Sequence, residues 1–114
     1  MNAEVGIQTR PLGLTGPAAF PLALGCMGMS GMYGRSDDGE SIATIHAALD
    51  RGVNLLDTGD FYGMGHNELL VGRALKDRRE RALVSVKFGG LRNPAGGWSG
   101  FYDAHQMKML DSER

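Results

Sequence analysis

Between Pro21 and Lys87, three short apolar runs alternate with two segments of helical periodicity, and that order confines the chain to one class of fold. "PLALG" (Pro21 to Gly25) reads as a buried strand stopped by glycine, "VNLLD" (Val53 to Asp57) as a second and "RALVSVK" (Arg81 to Lys87) as a third. A helix is expected over roughly Asp38 to Arg51, with Ser36 or Asp37 as its N-cap and Gly52 as a left-handed stop. Ile42, Ile45, Ala48 and Leu49 form its apolar stripe. The second helix, "HNELLVGRALK", gathers Leu70, Val71, Ala74 and Leu75 on one side. Strand, helix, strand, helix, strand at this spacing predicts right-handed βαβ units and a parallel α/β sheet.

The flanking text is of another kind. "QTRPLGLTGPAAF" suggests a small extended hairpin, since Pro11 and Pro17, with Pro21 just after, exclude a helix and Gly13 and Gly16 mark a turn. After Lys87 the alternation stops: "FGGLRNPAGGWSGFYD" is loop-like, and "AHQMKMLDSER" offers at most a short, poorly capped helix. Most of the 18 glycines sit at the ends of apolar segments rather than in a flexible tract.

At 114 residues the chain is the size of one domain, and its net charge of −1 leaves no electrostatic footprint for nucleic acid or an anionic membrane. The start lacks a secretory signal, and no apolar run approaches the roughly 20 residues of a membrane span. A single cysteine, Cys26, fits a reducing, cytoplasmic setting.

Parallel α/β folds collect ligands at the C-terminal ends of their strands. Asp57 ends the second strand, Tyr62 lies in the loop after it, and Lys87 ends the third. Adjacent strands would bring the three together. A tyrosine is ordinarily a weak acid, but a neighbouring ammonium stabilises its phenolate, and a carboxylate beside the lysine orients that ammonium. Tyr62 could then protonate a carbonyl oxygen as a hydride reaches the carbon. On residue chemistry alone, a turn aspartate and a solvated lysine read these positions equally simply. Cys26 reads as a small packed residue, Met27, Met29 and Met32 as packing or a substrate wall, and Asp60 as a loop acid. His46 and His66 read as structural, and the three histidines lack metal-ligand spacing. "KDRRER" reads as a solvated helix end.

"LALGCMGMSGMYG", "GVNLLDTGDFYGMGHNELLVGRALK" and "LVSVKFG" resemble, in that order, the aldo-keto reductases, with the likeness running from about Gln8 to Gly97. The resemblance implies the N-terminal part of a (β/α)8 barrel that reduces aldehydes or ketones with NADPH, with no Rossmann domain. It places Asp57, Tyr62 and Lys87 on three positions of a catalytic tetrad, and Gly28, Met29 and Asp57 beside the nicotinamide. The fourth position, a histidine after the fourth strand, finds no counterpart, because His105 sits in text that is not strand-like. A full barrel needs about 250 residues, so three of its eight strands are expected at 8–97, followed by a divergent tail at 98–114. Such a part is expected to be inactive alone; a non-catalytic remnant and a multi-chain assembly remain alternatives, and oligomeric state stays open.

Overall fold

The structure, a computed structural model, describes residues 8–92, 94, 95 and 97–101. A minimal hairpin comes first: β1 (Arg10–Pro11) pairs antiparallel with β2 (Ala18–Ala19). Gly13 turns it at a φ of +68°, which glycine adopts without the Cβ penalty. Asn54 then ties the hairpin to the main sheet, accepting from Phe20 N–H at 2.7 Å and donating to the Ala18 carbonyl at 3.0 Å.

The main sheet has three parallel strands in the order β3 (Leu24–Gly25), β4 (Leu55–Gly59), β5 (Leu83–Lys87). Helix α1 (Asp38–Asp50) connects β3 to β4, and α2 (His66–Ala74) connects β4 to β5. Of the two expected caps for α1, Asp37 is the one used: its carboxylate accepts from Glu40 N–H at 2.8 Å. Gly52 follows the helix at a φ of +92°, the left-handed stop. His46 contributes to the other helix, its Nε2 lying 2.8 Å from the Ala74 carbonyl at the C-terminus of α2.

The apolar stripes meet in one core. Cys26, Ile45, Leu49, Leu56, Val71, Ala74, Leu75 and Ala82 are buried together, with Leu24, Met29, Ile42 and Val84 packed against them. Strand side chains alternate between faces. Leu56, Thr58 and Val84 therefore face the helices, while Leu55, Asp57, Leu83, Ser85 and Lys87 occupy the opposite face, where Ser85 and Lys87 are exposed.

Two expectations are corrected. The strand expected as buried over Pro21 to Gly25 is only Leu24–Gly25, with Leu24 half-buried and Leu22 exposed, because it lies at the edge of the sheet beside β4 alone among the described residues. The segment after Lys87 is not a loop but a second hairpin, with β6 (Gly90–Arg92) antiparallel to β7 (Trp98–Phe101) and an irregularity between Leu91 and Arg92. Its strands are three and four residues long and interrupted by glycine, so they lack the alternating pattern that marks a strand. The signal that was present is the turn text "NPAGG" between them. The helix considered over 104–114, His105, and all of the expected tail beyond residue 101 lie outside the described residues. No helix among the described residues is long and apolar enough to cross a membrane.

Candidate active site

Strands β4 and β5 end together at Gly59 and Lys87, β3 ends at Gly25 opposite Asp57, and the polar groups gather there. In the parallel register Asp57 stands opposite Ser85 and Gly59 opposite Lys87, so Lys87 lies two residues further along the shared face. Its side chain reaches back, and Nζ donates to Asp57 Oδ1 at 2.5 Å. The same ammonium lies 5.7 Å from the centroid of the Tyr62 ring. The Asp57 hydrogen bond holds the Lys87 ammonium above its ordinary pKa of 10.5; partial desolvation opposes this, and a hydrogen bond with Tyr62 adds to it. Lys87 is thus a committed cation with a carboxylate on one side and a phenol on the other.

Tyr62 is placed by backbone geometry. It opens a 3-10 turn, Tyr62–Gly65, in which Gly63, Met64 and Gly65 have φ values of +60°, +54° and +101°. Three left-handed residues in succession reverse the chain before α2 begins at His66. Two of them are glycine, but Met64 carries a Cβ into a region that disfavours it. The ring lies over β4 and is buried: a Cβ built on Gly59 would stand 3.1–3.3 Å from its carbons. Phe61 supports it edge-on, with centroids 5.0 Å apart.

A cavity of about 270 Å³ opens beside these groups, with Asp57, Tyr62 and Lys87 on one side and Met27, Gly28 and Tyr33 on the other. Gly25 has open space where a Cβ would project, whereas a Cβ built on Gly28 would stand 3.0 Å from the Tyr33 ring. The wall from Cys26 to Ser30 is a tight 3-10 turn anchored by Cys26. That thiol is fully buried and its pKa is pushed up to about 11, chiefly by desolvation and secondarily by the Asp57 charge. It packs as a small apolar residue.

Asp57, Tyr62, Lys87 and Gly28 therefore meet around one cavity. Met29 does not join them; it packs against the core and borders a separate surface depression with Arg35 and Glu40. Met32 is exposed, as is Asp60, whose N–H caps the Lys87 carbonyl at 2.9 Å. His66 bridges Ser30 and Asp38. Tyr33 and Asn67 escaped the sequence reading. Tyr33 had only the glycines of "GMYG" to mark it, and a polar residue in the first turn of a helix looks like solvent-facing text.

The comparisons with known proteins bear on the family and the fold. The sequence profile of the Aldo/keto reductase family matches residues 21–113, and the chain belongs to that family. A probable aldo-keto reductase 1 of Glycine max is 41% identical over 88 residues, covering 75% of this chain and 25% of that protein. The aldo-keto reductase yakc [NADP(+)] of Schizosaccharomyces pombe is 38% identical over 96 residues, covering 82% of this chain and 27% of that protein. The chain thus spans about a quarter of the length of these curated relatives. Among solved structures, the holo form of aldo-keto reductase AKR11C1 from Bacillus halodurans superposes with a TM-score of 0.73 at 29% identity, over 94% of this chain and 35% of that one. The three parallel strands and two helices are part of an aldo-keto reductase (β/α)8 barrel.

Proposed function

We propose that this chain carries the proton-donating part of a reductase that converts an aldehyde or ketone to an alcohol with NADP(H). The observation that supports it most directly is the Asp57–Lys87–Tyr62 cluster at the strand ends, with Lys87 Nζ 2.5 Å from the carboxylate and 5.7 Å from the phenol ring. A bound nicotinamide would supply the hydride to the carbonyl carbon. Tyr62 donates its hydroxyl proton to the carbonyl oxygen, so the C=O bond becomes C–H and O–H. Lys87 stabilises the phenolate that remains, and Asp57 keeps the ammonium aimed at it. The open backbone at Gly25 lets a flat ring approach this side of the cavity closely. Of the described residues around the cavity only Lys87 is basic, so among them the cluster offers no further cation for the phosphates of a dinucleotide.

The test joins this chain to the remaining C-terminal part of the Glycine max relative and measures NADPH oxidation with a small aldehyde. Turnover is expected, and Tyr62→Phe should lower it by at least about 10²-fold by removing the acid. Turnover that survives Tyr62→Phe would sink the reading. A non-catalytic role for the chain by itself is favoured by one observation: Ser85, Val86 and Lys87 at the end of β5 are all exposed, leaving the cluster open to water. A 114-residue chain that reduced the aldehyde alone at an enzymatic rate would exclude that second reading.

A further inference from the structure

We infer that Asn67 is a positioning residue of this site, whose buried amide sets the Cys26–Ser30 wall against β4. The inference rests on the reductase reading for what the wall does, but not for how the wall is held.

Asn67 is the second residue of α2 and is fully buried, unusual for a primary amide in the first turn of a helix. Its Nδ2 donates to the Cys26 carbonyl at 2.7 Å and to Ser30 Oγ at 2.8 Å. Its Oδ1 accepts from Thr58 Oγ1 at 2.5 Å. These partners fix which way the amide points, because a carbonyl can only accept and the threonine hydroxyl is left to donate. One side chain thus joins three elements: helix α2, strand β4 next to Asp57, and both ends of the wall that carries Met27 and Gly28.

The wall has few other restraints. None of residues Met27–Ser30 is buried, and the turn has no side-chain cap. Cys26 is gripped from both sides, its N–H donating to the Asp57 carbonyl at 2.9 Å and its carbonyl receiving Asn67. Ser30 is gripped likewise. Accepting from Asn67 leaves its own hydroxyl to donate to His66 Nδ1 at 2.8 Å, and His66 Nε2–H then donates to Asp38 at 2.9 Å. Tyr62 stands only five residues before Asn67 in the chain. The same amide therefore governs the spacing between the two sides of the cavity.

The experiment is amide hydrogen exchange, read by NMR on the 114-residue chain, for wild type, Asn67→Ala and Asn67→Asp. The aspartate is isosteric but turns a second acceptor toward the Cys26 carbonyl. In both variants the Met29 amide, which bonds to that carbonyl, should exchange at least about tenfold faster, while β4–β5 amides change less than about twofold. Kinetics on the joined enzyme supply the second readout: KM for NADPH should rise about tenfold in Asn67→Asp, with kcat within about threefold. Equal acceleration of Met29 and the β4–β5 amides, unfolding of both variants, or no change at Met29 would each overturn the inference by making Asn67 purely structural or irrelevant. A joined wild-type enzyme without turnover would instead overturn the reductase reading, and the exchange result would stand apart from it.

Discussion

Lys87 and Cys26 give the site a pH signature with one sign. Both groups have folded pKa values above their ordinary ones, so the native state holds more protons than the unfolded chain at high pH. Their contributions are complete below about pH 9, where the unfolded cysteine begins to ionise, and are lost as pH rises through the folded values. A series of thermal melts from pH 8 to 11.5 should show Tm falling over this window. Asp57→Asn should flatten the part due to Lys87, and that part is small because the pair is half exposed and worth at most about 1 kcal/mol. Cys26 adds a direct chemical check: a maleimide at pH 8 should modify the native chain at least about tenfold more slowly than the urea-unfolded chain. Gly59 and Tyr62 are tied more tightly than any sequence pattern shows. Gly59→Ala puts a methyl 3.1–3.3 Å from the ring carbons and should cost the joined enzyme turnover well before it costs the chain its fold. Residue type and place in the chain marked Asp57, Tyr62 and Lys87 as strand-end neighbours, and the family resemblance was needed to single them out as a candidate site. The sequence hid Asn67 and Gly59, whose roles arise from what the fold lays against them.

Among the elements, the two helices and strands β4 and β5 were readable because each carries an apolar pattern that one buried core enforces, whereas β3 shrinks to Leu24–Gly25 at the sheet edge with Leu22 exposed. Leu70, Val71, Ala74 and Leu75 share a face in the sequence and share the interior in the structure. The caps were nearly as clear: Asp37→Ala should cost about 1 kcal/mol in urea denaturation, since it strands the Glu40 N–H at the start of α1. The β6–β7 hairpin was not readable. Its hydrogen bonds depend on backbone pairing rather than on an apolar face, and Gly90 packs its bare Cα against the Phe61 ring, where a Cβ would come within 2.6 Å. Met64 is a local conflict inside an otherwise consistent turn. Replacing it with glycine should raise stability by about 1 kcal/mol, measured by the same denaturation, because the left-handed conformation then carries no Cβ penalty.

At the scale of the whole molecule, the three-stranded sheet is covered by helices on one side only among the described residues. β3 and β5 each pair with β4 alone among the described residues, so both outer edges of the sheet lack a partner there. A groove of about 350 Å³ beside Val71, Val84 and Val86 leaves part of the helix side open as well. Exposed strand edges and apolar surface favour association, so sedimentation velocity should show the 114-residue chain growing in mean mass as concentration rises. Val86→Lys should weaken that growth. The one-sided cover has a further consequence along β4 and β5. In both strands the even-numbered positions lie on the helix side and the odd-numbered ones on the side that carries Asp57 and Lys87, and the parallel register keeps the two parities aligned. A saturation library scored separately for abundance and for turnover would therefore split into two interleaved combs, each nearly silent where the other speaks.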